Sequence, residues 1–147
     1  MKQDAADRYQ ARMQRVLTYI EVHLDDDLSV EVLAGVAAFS RHHFQRQFAS
    51  LLGISVHRYV QLCRLKRASY RLTLRPHDPV LRIALDAGYE GPEAFARAIG
   101  QRFDQTPSVF REEPRWRQWH ALCEPLNRTR TLDDALSIAI GFMITNS

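Results

Sequence analysis

The chain of 147 residues has little of what marks most enzyme, secreted and membrane classes. It carries two cysteines, Cys63 and Cys123, at a spacing that fits no metal or redox motif, so they read as reduced thiols of a cytoplasmic protein. Strand signals are nearly missing. No run of β-branched residues alternates with polar ones, and no Asn-Gly type hairpin turn occurs. The N-terminus has no apolar core of a secretory signal. The longest apolar run, near IAIGFMI, is far too short to span a bilayer, so no membrane partner is expected. There is no glycine-rich phosphate loop, no Ser/His/Asp or Cys/His arrangement and no paired-carboxylate site. Cys63 falls mid-helix among apolar residues, where an inert thiol is the default. The expectation is a protein that is not an enzyme and has no cofactor. An excess of positive charge is also small: the formal net charge of +3 does not by itself identify a nucleic-acid binder, so the distribution of charge has to.

What is present is helix. With 46% hydrophobic and 25% charged side chains, the chain has the material for one compact domain or two small lobes. Met13, Val16, Leu17, Ile20 and Leu24 recur at three- and four-residue spacing over about 7 to 24. Ser29 can cap a second helix carrying Val30, Leu33, Ala34 and Ala37. Ser40 caps a third, which Gly53 stops. Ser55 caps a long one with Tyr59, Leu62, Leu65, Ala68 and Leu72, ended by Arg75-Pro76 because the residue before proline avoids the helical region. Pro79 opens another helix at its first turn and Gly88 ends it. Gly91-Pro92 opens a helix to about Phe103, and Thr106-Pro107 starts a last short turn. Acids cluster early, at Glu21, Asp25, Asp26, Asp27 and Glu31, whereas Arg58, Arg64, Lys66, Arg67, Arg71 and Arg75 follow with no acid among them.

This pattern contains a repeat. LAGVAAFSRHHFQRQFASLLGISVHRYV (33 to 60) aligns with IALDAGYEGPEAFARAIGQRFDQTPSVFR (83 to 111). Ala34 matches Ala84 and Phe39 matches Tyr89. After one extra residue in the second copy, Phe44 matches Phe95, Arg46 matches Arg97, Leu52 matches Phe103 and Tyr59 matches Phe110. Each copy reads helix, tight turn, helix, and a long helix joins them. The expected fold class is all-α: two helix-turn-helix subdomains on a linker helix.

In a helix-turn-helix the second helix enters the DNA major groove. On a wheel, Phe44, Phe48, Leu51 and Leu52 occupy a roughly 100° arc of SRHHFQRQFASLLG. His42, Gln45, Arg46 and Ala49 fall roughly opposite, with Arg41 at the edge. Arginine can fork onto guanine and glutamine onto adenine, histidine can donate to guanine or phosphate, and Ala49 lets the helix come close. A solvated surface face is the bland alternative. His42 and His43 are adjacent and point about 100° apart, so they do not share a metal, and no metal site is expected; His43 is expected to wedge against a neighbouring helix. In PEAFARAIGQRF, Phe95, Ile99 and Phe103 form the buried side and Pro92, Glu93, Ala96, Arg97 and Gly100 the outward one. Glu93 can accept from a cytosine amine and Arg97 can fork a guanine; the alternative is a surface pair between them.

These residues resemble the DNA-binding domain of AraC/XylS-type bacterial transcription regulators. The resemblance rests on SRHHFQRQF, RLKRASYRL and the run IALDAGYEGPEAFARAIGQRFDQTPSVFR, and covers about residues 8 to 113. It implies a sequence-specific regulator, an activator among others, that reads two adjacent major-groove segments of double-stranded DNA, with RNA polymerase as a further partner. It puts Arg41, His42, Gln45 and Arg46 of the first recognition helix, and Gly91, Pro92, Glu93 and Arg97 of the second, at DNA, and Ala49 is expected there from its place on the wheel. Ser40, Arg58, Arg64 and Arg102 are expected at phosphates. Arg64, Leu65 and Ala68 match the linker-helix pattern. Ala38 stands where the first turn usually has glycine, which implies a slightly different backbone there. The other reading of the same fold is a protein-interaction module without DNA binding.

The bipartite domain is expected over 1–113 and a C-terminal extension over 114–147. EEPRWRQWHALCEPL weakly resembles the start of a small-molecule-binding domain found in the drug-responsive branch of the family, which implies an effector for a longer form. The remaining residues are too few to build such a domain. Trp116 and Trp119 are expected on a helix packed against the domain, in preference to a ligand cage, and TLDDALSIAIGFMI as one amphipathic or buried helix.

Overall fold

A computed structural model of the chain describes residues 2–122; Cys123 and the segment TLDDALSIAIGFMI lie outside them. Among the described residues the secondary structure is helical without strands. The helices are α1 (Lys2–Val22), α2 (Val30–Ala37), α3 (Arg41–Leu52), α4 (Val56–Leu74), α5 (Val80–Asp86), α6 (Pro92–Phe103), α7 (Pro107–Glu112) and α8 (Trp116–Leu122). α1 begins earlier than its apolar periodicity suggests, because KQDAADR holds good helix formers with Asp4 in the first turn, where the dipole favours an acid.

Hydroxyl side chains start most of the interior helices. Ser29, Ser40, Ser55 and Thr106 each accept from a backbone N–H three residues on, at Val32, His43, Arg58 and Val109. Each such cap contributes about 1 kcal/mol. Pro79 sits one position before the place expected for it, as the N-cap of α5, and gives no side-chain cap.

The core is continuous through α4. Met13, Val16, Leu17 and Ile20 of α1 meet Leu33 and Ala37 of α2 and Phe44, Phe48 and Leu52 of α3. In the same core, Leu72 of α4 joins Ile83 and Ala84 of α5, Phe95, Ile99 and Phe103 of α6, and Phe110 of α7. α4 packs against α3, α5 and α7, so one helix carries both units.

The repeat extends to single hydrogen bonds. In the first turn, Ala38 N–H donates to Gly35 O and Phe39 N–H to Ala34 O; in the second, Gly88 N–H donates to Leu85 O and Tyr89 N–H to Ala84 O. The different backbone expected at Ala38 is not found: Ala38 takes the left-handed conformation, at φ 58°, that Gly88 takes at φ 89°. For a residue with a Cβ this costs roughly 1–2 kcal/mol. Arg12 of α1 helps to hold the turn. Its Nε donates to Ala37 O at 2.7 Å, its Nη2 donates to Ala38 O, and its guanidinium carbon lies 3.9 Å from the Phe39 ring centroid.

Glu21 of α1 is half-buried, and its Oε1 is enclosed without a hydrogen-bond partner. Burial pushes its carboxyl up to about 7, against the pull of the Lys66 ammonium on α4. The folded state therefore keeps this proton where the unfolded chain has lost it, and stability falls as pH rises from the ordinary carboxylate range through about 7.

Two outcomes are expected. Ala38→Gly should stabilise the chain by up to about 1 kcal/mol, and Gly88→Ala should cost about as much, in urea titrations. The Cβ of the latter meets Arg64 only at 3.8 Å, so backbone strain and not crowding sets its sign. Glu21→Gln should flatten the decline of stability between the ordinary carboxylate value of 4.5 and about pH 7, with a gain at the upper end on the order of 1 kcal/mol after discounting for the exposed side of the group. Identical pH slopes in parent and variant would contradict the assignment of that decline to Glu21.

Candidate nucleic-acid interface

α3 leaves the left-handed turn with Phe44, Phe48 and Leu52 buried and Leu51 half-buried. Its outer face carries Arg41, His42, Gln45, Arg46 and Ala49, all exposed. Ser40, also exposed, uses its Oγ to accept from His43 N–H at 3.3 Å. Arg41 donates to Glu31 Oε1 at 2.6 Å, with both side chains more than half exposed. His43 is not wedged against a neighbouring helix as expected: it is exposed, and its ring rests 4.9 Å from Phe39 of the turn. Gln47, by contrast, belongs to the fold, since its Oε1 accepts from the Tyr9 phenol at 2.9 Å.

α6 starts differently. Gly91 is extended, with φ −172°, and offers no side-chain cap, while Pro92 brings no N–H. The amides of Glu93 and Ala94 have no acceptor within their own helix, and the Glu93 carboxylate of the first turn lies beside Gly91. Phe95, Ile99 and Phe103 are buried, Pro92, Glu93 and Arg97 exposed, and Ala96 and Gly100 half-buried. The inner side is the one the sequence indicates, whereas Ala96 and Gly100 of the expected outward set are partly covered. Glu93 and Arg97 do not form an ion pair.

Residues 33–113 match the helix-turn-helix domain family. The regulatory protein SoxS of Escherichia coli K12 is 30% identical over 103 residues, which cover 70% of this chain and 95% of SoxS. The chain belongs to the AraC/XylS family of transcription regulators. The right origin-binding protein of Escherichia coli K12 is 35% identical over 101 residues, covering 69% of this chain. The chain spans only about a third of that relative's length, 35%. The DNA-binding domain of AdpA, a global transcriptional factor solved in complex with a target DNA, superimposes with a TM-score of 0.59 at 27% identity, covering 69% of this chain and 91% of that one.

In this AraC/XylS domain the two arginines at equivalent places in the repeat, Arg46 and Arg97, are both exposed. Neither forms a hydrogen bond or ion pair among the described residues. Arg102 is exposed near the end of α6. Arg58, in the first turn of α4, is half-buried. It lies near enough to Tyr89 that its charge offsets part of the rise that burial imposes on that phenol.

The arginines further along α4 are turned inward. Arg64, expected at a phosphate, donates from Nε to Leu24 O at 3.0 Å and from Nη2 to Asp26 O at 3.2 Å. Arg67 donates to Asp25 Oδ1 at 2.6 Å and Asp86 O at 3.0 Å. Arg71 binds Asp86 Oδ2 at 2.7 Å and Asp78 Oδ2 at 3.2 Å. Burial alone would lower the Arg71 pKa, but the hydrogen bonds to Asp86 and Asp78 outweigh it and raise the value. The acid-free run of arginines on α4 is thus only partly a basic surface. The signal for the inward role was the pair of acidic groups at Asp25 to Asp27 and at Asp78 and Asp86, placed to meet the same helix from both units.

Proposed function

We propose that this chain is a DNA-reading module that binds double-stranded DNA as a monomer through two successive major grooves, with α3 in one and α6 in the next. The observation that carries this reading is the pair Arg46 and Arg97. They occupy equivalent positions in the two copies, project from the outer faces of the two second helices, and form no hydrogen bond or ion pair among the described residues. An unpaired guanidinium flanked by Gln45 and His42, or by Glu93, suits base edges: arginine forks guanine, glutamine forks adenine, and glutamate accepts from cytosine. The N-terminus of α6 at Gly91 and Pro92 and the capped start of α3 at Ser40 suit phosphate. Arg41, Arg58 and Arg102 add charge beside them. Arg64 has another part in this reading, since its donors serve the fold. Because the two units are related by a repeat within one chain and not by a two-fold axis, the preferred site is non-palindromic, with two read segments about 10 base pairs apart. As the reading part of an AraC/XylS regulator, the module acts on transcription with RNA polymerase as partner, and a longer form would add a small-molecule effector.

Selection of sites from random DNA tests the reading. Arg46→Ala should relax preference at one position of the first segment and cost about 1–3 kcal/mol, and Arg97→Ala should do the same in the second. Retention of the parental preference by both variants would sink the assignment.

A further inference from the structure

α8 lies past the residues that match the helix-turn-helix family, yet it is anchored in the core. Trp119 is 4% exposed. Its indole N–H donates to Ser69 Oγ at 2.8 Å. Ser69 is wholly buried in α4, and its hydroxyl has the carbonyls of Leu65, at 2.8 Å, and Lys66, at 3.0 Å, as acceptors. Tyr70 meets the indole edge-on with centroids 4.9 Å apart. From Trp119, ring contacts run through Trp116 at 5.4 Å to Phe110 at 6.0 Å, and from there to Phe103 at 4.8 Å. Phe103 is the last residue of α6.

Polar ties reach the same place. Arg115 Nη1 donates to Phe103 O at 3.4 Å and pairs with Asp104 at 3.6 Å. The Arg115 N–H donates to Gln105 Oε1 at 3.1 Å, and Gln105 Nε2 donates to Glu113 O at 2.7 Å. Asp104 caps α6 in the left-handed conformation, at φ 53°, so the chain turns sharply where these ties converge. The C-terminal end of α6 is thus gripped by residues 113–119, while its N-terminal end has no side-chain cap.

We infer that Arg115 and Trp119 are positioning residues for the second recognition helix, setting the angle at which α6 presents Glu93 and Arg97. The inference rests on the reading of α6 as a DNA-reading helix. The lever is long enough to matter. A helix of 12 residues is about 18 Å long, so a tilt of about 10° about its gripped end moves the other end by about 3 Å. A base contact does not survive a displacement of that size.

The test uses the full chain and competition binding against single-base variants of its selected site, with Arg46→Ala and Arg97→Ala assigning the two segments. Arg115→Ala removes an exposed side chain and leaves the core filled. Trp119→Phe keeps an aromatic ring and removes the N–H. Each should lower base discrimination about five- to ten-fold in the segment that Arg97 reads, and leave the segment that Arg46 reads within about two-fold of the parent. Parental discrimination in both segments for these two variants, with Arg97→Ala still impaired, overturns the inference and leaves the reading of α6 intact. An equal loss in both segments also overturns it, as a general loss of stability. No effect of Arg97→Ala itself would remove the reading of α6, and the inference with it.

Discussion

The placement of both helix-turn-helix units depends on three arginines of α4. Arg64 and Arg67 take hold of the segment after α1, through the carbonyls of Leu24 and Asp26 and the carboxylate of Asp25. Arg67 and Arg71 take hold of the end of α5 through the carbonyl and carboxylate of Asp86. One helix thereby fastens an early loop of the first unit and the last residue of the first helix in the second. The bond from Arg64 to the part-buried Leu24 carbonyl, with a charged donor, contributes about 1.5 kcal/mol, and the exposed ones to Asp26 O and Asp86 O contribute less. The Arg67–Asp25 pair, with Asp25 72% exposed, contributes under about 1 kcal/mol. Geometry matters here more than stability, because multi-donor guanidinium groups fix direction as well as distance. Arg111 extends the same device from α7, with donors on Leu72 O and Asp78 O.

This use of arginine also explains how a chain of small net charge can keep exposed cations on the outer faces of its two second helices. Much of the acid-free stretch on α4 is neutralised against acids and carbonyls supplied by other elements. The cations without a partner among the described residues include Arg46, Arg97 and Arg102, on the two second helices. Exposed guanidinium groups at matched places in a repeat are the charges that can displace counterions from phosphate or fork a base. A wholly solvent-facing linker would give more charge but no fixed spacing between the units.

The helices, their serine caps and the repeat were legible because they depend on neighbours within a few residues. The buried and exposed sides of α3 and α6 follow from the three- and four-residue spacing of Phe44, Phe48 and Leu52 and of Phe95, Ile99 and Phe103. The inward arginines were less legible. Arg64 reaches a carbonyl 40 positions away, and a long side chain on a helix wheel shows its direction but not its destination. Asp86 and Asp78 meet Arg71 from 15 and 7 positions away, and only the structure distinguishes them from Glu90, which makes no bond to that helix among the described residues. Ala38 shows a different limit. A missing glycine suggested a changed backbone, yet Arg12, from a different helix, helps to hold alanine in the left-handed region. The grip of α8 on α6 was half visible: Trp116 and Trp119 read as a packed helix, but Ser69, a lone polar residue on the inner side of α4, gave no sign of its partner 50 residues on.

Fixed spacing between α3 and α6 is tested most directly by lengthening the DNA between the two read segments and measuring the affinity of the full chain. An insertion of about 5 base pairs turns the second segment to the opposite side of the duplex, and one of about 10 returns it to the same side but a full turn away. With α4 holding both units, each insertion should lower affinity at least about ten-fold, and the longer one should not restore it. Affinity indifferent to the insertions, or recovered at the full turn, would mean that the units move independently, and would contradict the clamp on α4.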